Sequence, residues 1–300
     1  MGHAANQDLS AQGKVALVTG ANTGIGRVTA VQLALSGFHV FLACRDAAKT
    51  AEVLAEINER SNGQAKAEFL PLDLGDFESV RTCANQFLAR NLGLDLLINN
   101  AGLAGAKGLT RSGFELTFGV CHMGHFLLTQ LLMPALQKPT QARVVVVASR
   151  AHRHARGIDF DSLRQATQGA GGIKEYAQAK LANILFVKAL AQRLKGSSIT
   201  TYALHPGVVA TEVWRKLPGF IQPLIKLFMI SPEDGAKTTL YCALSPDVQH
   251  HSGLYYSDCR EGRHTAVAGD ANLAEALWSY SERCVAEWQA GSASTSSLSA

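Results

Sequence analysis

Runs of β-branched and aliphatic residues recur along the chain, and most close on Gly, Ser or Asp. They are "KVALVTG" (14–20), "HVFLACR" (39–45), "AEFLPLDL" (67–74), "LDLLINNAG" (94–102), "RVVVVAS" (143–149), "TTYALHPG" (200–207) and "GLYYSD" (253–258). Between them lie helical stretches such as "RVTAVQLALSG" and "DAAKTAEVLAEINER", with further helices expected near Asp76, Ser112 and Ile173 and over "PEDGAKTTLYCAL". A strand that is apolar along its whole length must be buried on both faces, which calls for a parallel sheet with helical crossovers. The expected fold is therefore α/β: a single domain over 1–290, a doubly wound parallel sheet with helices on both faces. The closing "GSASTSSLSA" (291–300) is small and polar and is expected to be a disordered tail.

Composition narrows the class. With 47% hydrophobic and 17% charged residues, the chain can bury a large core. The formal net charge of +4 comes from scattered basic residues, which excludes a nucleic-acid surface as the main reading. Six cysteines without a CxxC read as reduced, buried thiols. The start "MGHAANQDLSAQGK" has no apolar leader, and no apolar stretch reads as reaching the ~18 residues of a spanning helix. A cytoplasmic protein with no transmembrane segment is expected.

Ligands of such sheets gather at the carboxyl ends of the strands, where strand order reverses. There the first strand gives "TGANTGIG", whose Gly20, Gly24 and Gly26 permit a tight turn and a close backbone approach to a pyrophosphate at the next helix N-terminus. Asn22, Thr23 and Ile25 belong to the same turn. The second strand ends "ACRD", with neutral Cys44 followed by Arg45 rather than the acidic residue that would bind an adenosine ribose. Arg45 suits a 2′-phosphate, so NADP(H) is expected over NAD(H). Asp73 and Leu74 follow the third strand beside the adenine, and Asn100, Ala101 and Gly102 of "NNAG" follow the fourth beside pyrophosphate and ribose. Ser149 closes the fifth.

"KEYAQAKLANILF" (174–186) sets Tyr176 four residues before Lys180, one turn apart on one helical face. The pair is either proton-handling machinery or two polar residues on a wet surface. A fixed cation about 4 Å from a phenol, at an effective dielectric of ~20, is worth at most around 4 kcal/mol towards the phenolate.

Taken together, "TGANTGIG", "NNAG", Ser149, Tyr176-x3-Lys180 and "HPGVVAT" resemble the short-chain dehydrogenase/reductase family, from about Lys14 to Glu287. The elements "ACRD", "GHFLLTQ", "YAQAKLANILF" and "ALHPG" are similar to its retinol dehydrogenase-like, NADP(H)-preferring branch. The resemblance implies a Rossmann-type fold and a reaction between a carbonyl and its alcohol. It implies Tyr176 as general acid or base, Ser149 as the hydrogen-bond partner of the substrate oxygen, and Lys180 as the holder of the nicotinamide ribose. Pro206, Gly207, Val209 and Thr211 would close around the nicotinamide. Homo-oligomers that pair through the helix carrying Tyr and Lys are a further implication.

One position departs from the branch pattern. "CHMGHF" has Cys121 where the family has an Asn that supports an irregular helix and, partly through its carbonyl, a water leading to the lysine. A thiol is a weak hydrogen-bonding group, so slowed proton relay is expected. A protein that binds NADP(H) for a regulatory or interaction role with weakened catalysis is the alternative. His122 and His125 are spaced like a metal pair but lack a third ligand, so no metal is expected. "RAHRHARG" (150–157) either borders the site mouth or is a solvated loop. The apolar "EVWRKLPGFIQPLIKLFMISPEDG", with Trp214, Phe220, Leu224 and Phe228, reads as a lid over a lipophilic carbonyl or alcohol, retinoid-like or otherwise. The exposed face of that lid leaves peripheral membrane contact open.

Overall fold

The computed structural model describes residues 11–207 and 230–297. Its strands are β1 (Val15–Thr19), β2 (His39–Cys44), β3 (Ala67–Pro71), β4 (Leu96–Asn99), β5 (Ala142–Val147), β6 (Ile199–His205), β7 (Leu254–Ser257) and β8 (Arg260–Glu261). They form one eight-stranded sheet in the order β3-β2-β1-β4-β5-β6-β7-β8. All neighbouring pairs are parallel except β7 and β8, so the doubly wound sheet expected from the sequence carries one short antiparallel strand at its edge.

Alternate strand residues feed two separate cores, as the two-residue period of a strand requires. Leu17, Phe41, Val144 and Val146 enter one; Val18, Leu42, Val145 and Val147 enter the other. The second core is closed by α1 (Gly24–Leu35), α2 (Ala47–Arg60) and α6 (Pro232–Leu244). The first is closed by α3 (Phe77–Leu88), α4 (Leu116–Leu136), α5 (Ile173–Arg193) and α7 (Ala271–Ser297).

Side chains set several helix starts. Asp46 and Asp76 accept from Lys49 N and Glu78 N, capping α2 and α3. The helix expected near Ser112 begins at Leu116, because Glu115 supplies its cap by accepting from Phe118 N at 2.8 Å. Ser112 Oγ instead accepts from Phe77 N at 2.8 Å and steadies the start of α3. Within α4, Gly119–Met123 is a π-turn.

Every residue of α5 from Ala177 to Val187 is buried. A helix buried all round needs cover on its outer side, and α7 provides it. Trp278 stacks on Phe186 with centroids 6.0 Å apart and meets Phe126 edge-on at 5.0 Å, while Arg193 lies 4.1 Å over its ring. α7 also runs on to Ser297, into the 291–300 stretch expected to be a disordered tail. Extending an existing helix avoids the cost of nucleating one.

Candidate active site

Strand order reverses between β4 and β2, on either side of β1, and the glycine turn leaves β1 at that point. Gly20 and Gly24 have φ of +64° and +52°, a region where L side chains are strained. A Cβ on Gly26 would stand 2.1 Å from Gly20 O, so α1 can begin this close to the strand only with glycine there. Thr23 is the N-cap of α1 but makes no side-chain cap bond, and the first turn holds no acidic residue. The free N–H groups and the positive end of the helix dipole remain available to an anion. An uncapped helix start behind a turn too tight for side chains fits a dinucleotide pyrophosphate. Asn22 lies in the same turn and Ile25 in the first turn of α1, both partly buried.

At the end of β2, Cys44 is buried beneath the turn, and desolvation raises its thiol pKa. Arg45 beside it is exposed. The neighbouring carboxylate of Asp46 is engaged as the α2 cap. Asp73 accepts from Gly75 N at 2.9 Å, and Leu74 is buried against α4, where a Cβ on Gly124 would come within 2.3 Å of its carbonyl oxygen. Asn100 Nδ2 donates to Thr19 O at 2.8 Å, and Asn100 N and Ala101 N donate to Thr19 Oγ1 at 2.9 and 3.0 Å. These bonds lock the "NNAG" corner onto the end of β1.

Ser149 follows β5 in extended conformation and caps the short 3-10 turn Arg150–His154, its Oγ accepting from Ala151 N at 3.1 Å. An oxygen held this way keeps its own hydrogen for another acceptor. Tyr176 stands half-buried in the first turn of α5. The Lys180 ammonium lies 5.6 Å from the centroid of its ring. Lys180 itself is only 3% exposed and donates to Val147 O at 2.8 Å, an oxygen that Asn183 Nδ2 also approaches at 3.2 Å. The structure thus brings Ser149, Tyr176 and Lys180 to the carboxyl end of β5.

Gly102 completes this corner. A Cβ there would meet Lys180 Nζ at 3.3 Å and Cys121 Sγ at 3.5 Å. Cys121 is fully buried in the π-turn, its thiol 3.8 Å from Leu103 O. The irregular helix is therefore formed without an Asn side chain. His122 Nε2 bonds Ser281 Oγ at 3.1 Å, whereas His125 bonds Cys121 O and Thr19 Oγ1. The two imidazoles are spent in different directions, and no group of three His, Cys, Asp or Glu side chains is placed to hold a metal among the described residues.

In the basic run, His152 is buried and bonds Ser149 O, Arg150 pairs with Asp258 at 2.8 Å, and Arg153 donates to Arg263 O. Arg150 and Arg153 border a cavity of about 450 Å³ with Tyr255 and Ser257 at the β7–β8 edge. Pro206 and Gly207 follow β6, where Gly207 has φ +98°. Val209, Thr211, Trp214, Phe220, Leu224 and Phe228 lie outside the described residues. The sequence reading assigns nothing to Thr19 or Asn183. A threonine directly before the first loop glycine, and an asparagine one turn past the lysine on the same face, were the available signals.

Residues 14–220 match the model of the family described as short chain dehydrogenase. Retinol dehydrogenase 11 of Mus musculus is 43% identical over 272 residues, covering 90% of this chain and 85% of that protein. Dehydrogenase/reductase SDR family member 13 of Bos taurus is 41% identical over 280 residues, covering 91% of this chain and 74% of that protein. A crystal structure of an uncharacterized protein from Mycobacterium paratuberculosis superimposes with a TM-score of 0.74 at 33% identity, covering 91% of this chain and 93% of the other.

The cytoplasmic placement expected from the sequence does not hold. One of its premises fails, because Leu116–Leu136 is a 21-residue helix apolar and long enough to cross a membrane by length and composition. Of its most apolar 18-residue window 72% is buried, as in the core helix of an α/β sheet. The relatives point away from that placement too, several being named for retinol, a lipid-soluble alcohol. Sequence, fold and site converge on one assignment: the chain belongs to the short-chain dehydrogenase/reductase family, in its retinol dehydrogenase-like branch, and is an oxidoreductase of the NAD(P)-binding kind.

Proposed function

We propose that this protein interconverts a lipophilic aldehyde or ketone and its alcohol with NADP(H), using Tyr176 as general acid or base. The observation that carries the reading is the bond from Lys180 to Val147 O. It pins the helix bearing Tyr176 to the end of the strand that Ser149 follows, and leaves the ammonium beside the Gly102 corner. A bound nicotinamide dinucleotide supplies the hydride or takes it up. Ser149 Oγ, steadied by Ala151 N–H, donates its hydrogen to the substrate oxygen and fixes its aim. Tyr176 gives a proton to that oxygen during reduction and removes it during oxidation. Lys180 retains N–H groups for a ribose and places a positive charge on the face of the Tyr176 ring. Arg45 offers an exposed guanidinium to a 2′-phosphate, and the next residue, Asp46, has one carboxylate oxygen engaged as the α2 cap. The branch relatives named for retinol support a lipophilic substrate.

The test is oxidation of NADPH by the purified protein over a panel of lipophilic aldehydes and ketones that includes retinal, with Tyr176→Phe beside it. Turnover that disappears in the variant establishes a carbonyl reductase. Tight NADPH binding without turnover on any member moves the assignment to a binding protein.

A further inference from the structure

The imidazole of His125, 1% exposed in α4, touches both halves of the site, and the role of each of its nitrogens follows from its partner. Nδ1 lies 3.0 Å from Cys121 O, and a carbonyl only accepts, so Nδ1 carries the hydrogen. Nε2 lies 2.8 Å from Thr19 Oγ1. In a neutral ring with hydrogen on Nδ1, Nε2 is the acceptor, so the Thr19 hydroxyl donates to it. That hydroxyl has a single hydrogen, and Ile98 O, at 3.4 Å, is the poorer competitor for it. The oxygen of Thr19 is then left to accept from Asn100 N and Ala101 N, which lie 2.9 and 3.0 Å away. Every group in the chain is used in the only sense open to it. Burial and the nearby Lys180 charge hold His125 neutral, with its pKa pushed down to about 4.

We infer that His125 is a positioning residue that clamps the π-turn at Cys121 to the Thr19–Asn100–Ala101 corner. The inference rests on the dinucleotide-binding reading of that corner. One end of the clamp sets the Cys121 carbonyl inside the π-turn Gly119–Met123, whose Cys121 thiol faces the same Gly102 corner as Lys180 Nζ. The other end sets the hydroxyl that draws the backbone of 100 and 101 under Gly20, where a Cβ on Gly20 would already touch Ala101 at 3.0 Å. A displaced imidazole would loosen the dinucleotide turn and the lysine corner together, although it touches neither ligand nor reacting atoms.

Two near-isosteres separate the ends. His125→Asn can place an amide N–H near Nδ1 but cannot reach Thr19; His125→Gln can place an amide oxygen near Nε2 but releases Cys121 O. NADPH affinity is read by fluorescence titration, kcat and KM by turnover, and the ring state by ¹⁵N NMR of the ligand-free protein. The inference expects an Nδ1–H neutral tautomer. It expects NADPH Kd about tenfold weaker in His125→Asn and within about threefold of wild type in His125→Gln, with kcat lowered in the latter at unchanged NADPH KM. An Nε2–H or charged ring overturns it, as do equal losses, or no losses, in the two variants. Wild-type protein that binds no NADPH refutes the dinucleotide reading instead, while the tautomer measurement still judges the clamp.

Discussion

Lys180 Nζ donates to Val147 O at 2.8 Å, two residues before Ser149, and Asn183 Nδ2 shares that oxygen at 3.2 Å. The carbonyl at the end of β5 is thus the point where helix and strand are fastened. Replacing Lys180 by Met keeps most of the side-chain volume and removes the charge and its donor. Turnover is expected to fall by about a hundredfold or more. Asn183→Leu removes only the second donor, so about 1 kcal/mol of stability and less than about tenfold in kcat should go. Urea unfolding beside steady-state rates distinguishes the two; equal rate losses would contradict the division of roles.

Arg45→Ala tests the cofactor preference. Loss of a charge-assisted bond to a 2′-phosphate should weaken NADPH by about ten- to a hundredfold and leave NADH nearly unchanged. Titration of both nucleotides against both proteins reads this directly. A loss common to both nucleotides would mean that Arg45 serves the turn, not the phosphate.

Cys121 occupies a fully buried position in a π-turn that forms without the expected Asn. Cys121→Asn is expected to raise kcat about fivefold on a good substrate, by adding a stronger hydrogen-bonding group beside Lys180. Unchanged turnover would show that the backbone of the turn, held by His125, supplies all that the position needs.

Acid should unfold this protein through its buried imidazoles. Desolvation pushes His122 down to about 3 and His125 and His205 to about 4. The unfolded chain binds protons on these groups below about pH 6.5 while the folded protein does not, so folding stability is complete above that pH. It falls as pH drops towards 4, each imidazole adding a slope of up to about 1.4 kcal/mol per pH unit. Urea midpoints measured from pH 7.5 to pH 4.5 should decline steadily below 6.5, and a flat profile would contradict the assignment.

The strands were legible because a sheet buried on both faces leaves near-continuous apolar runs, and the glycine turn because only glycine tolerates the Gly26–Gly20 approach. The short β8 was not, since two exposed residues carry no pattern. The start of α4 lay past Ser112 because that hydroxyl serves α3 and Glu115 supplies the cap, a choice between two good capping residues that local sequence does not make. In the site, helical spacing put Tyr176 and Lys180 on one face and the family resemblance gave them a role, whereas the bond from Thr19 to His125 joins residues 106 apart in sequence. Nothing in either neighbourhood marks the other.

The cover that α7 lays over α5 ties the chemistry to the fate of the whole fold. The stretch of α5 from Ala177 to Val187, which carries Lys180, is enclosed between the sheet and α7, whose Trp278 stacks on Phe186. Loss of the proposed activity on heating is then expected to coincide with global unfolding, and a chain cut short before Trp278 is expected to lose the packing that encloses Lys180 although nothing near that residue has been removed.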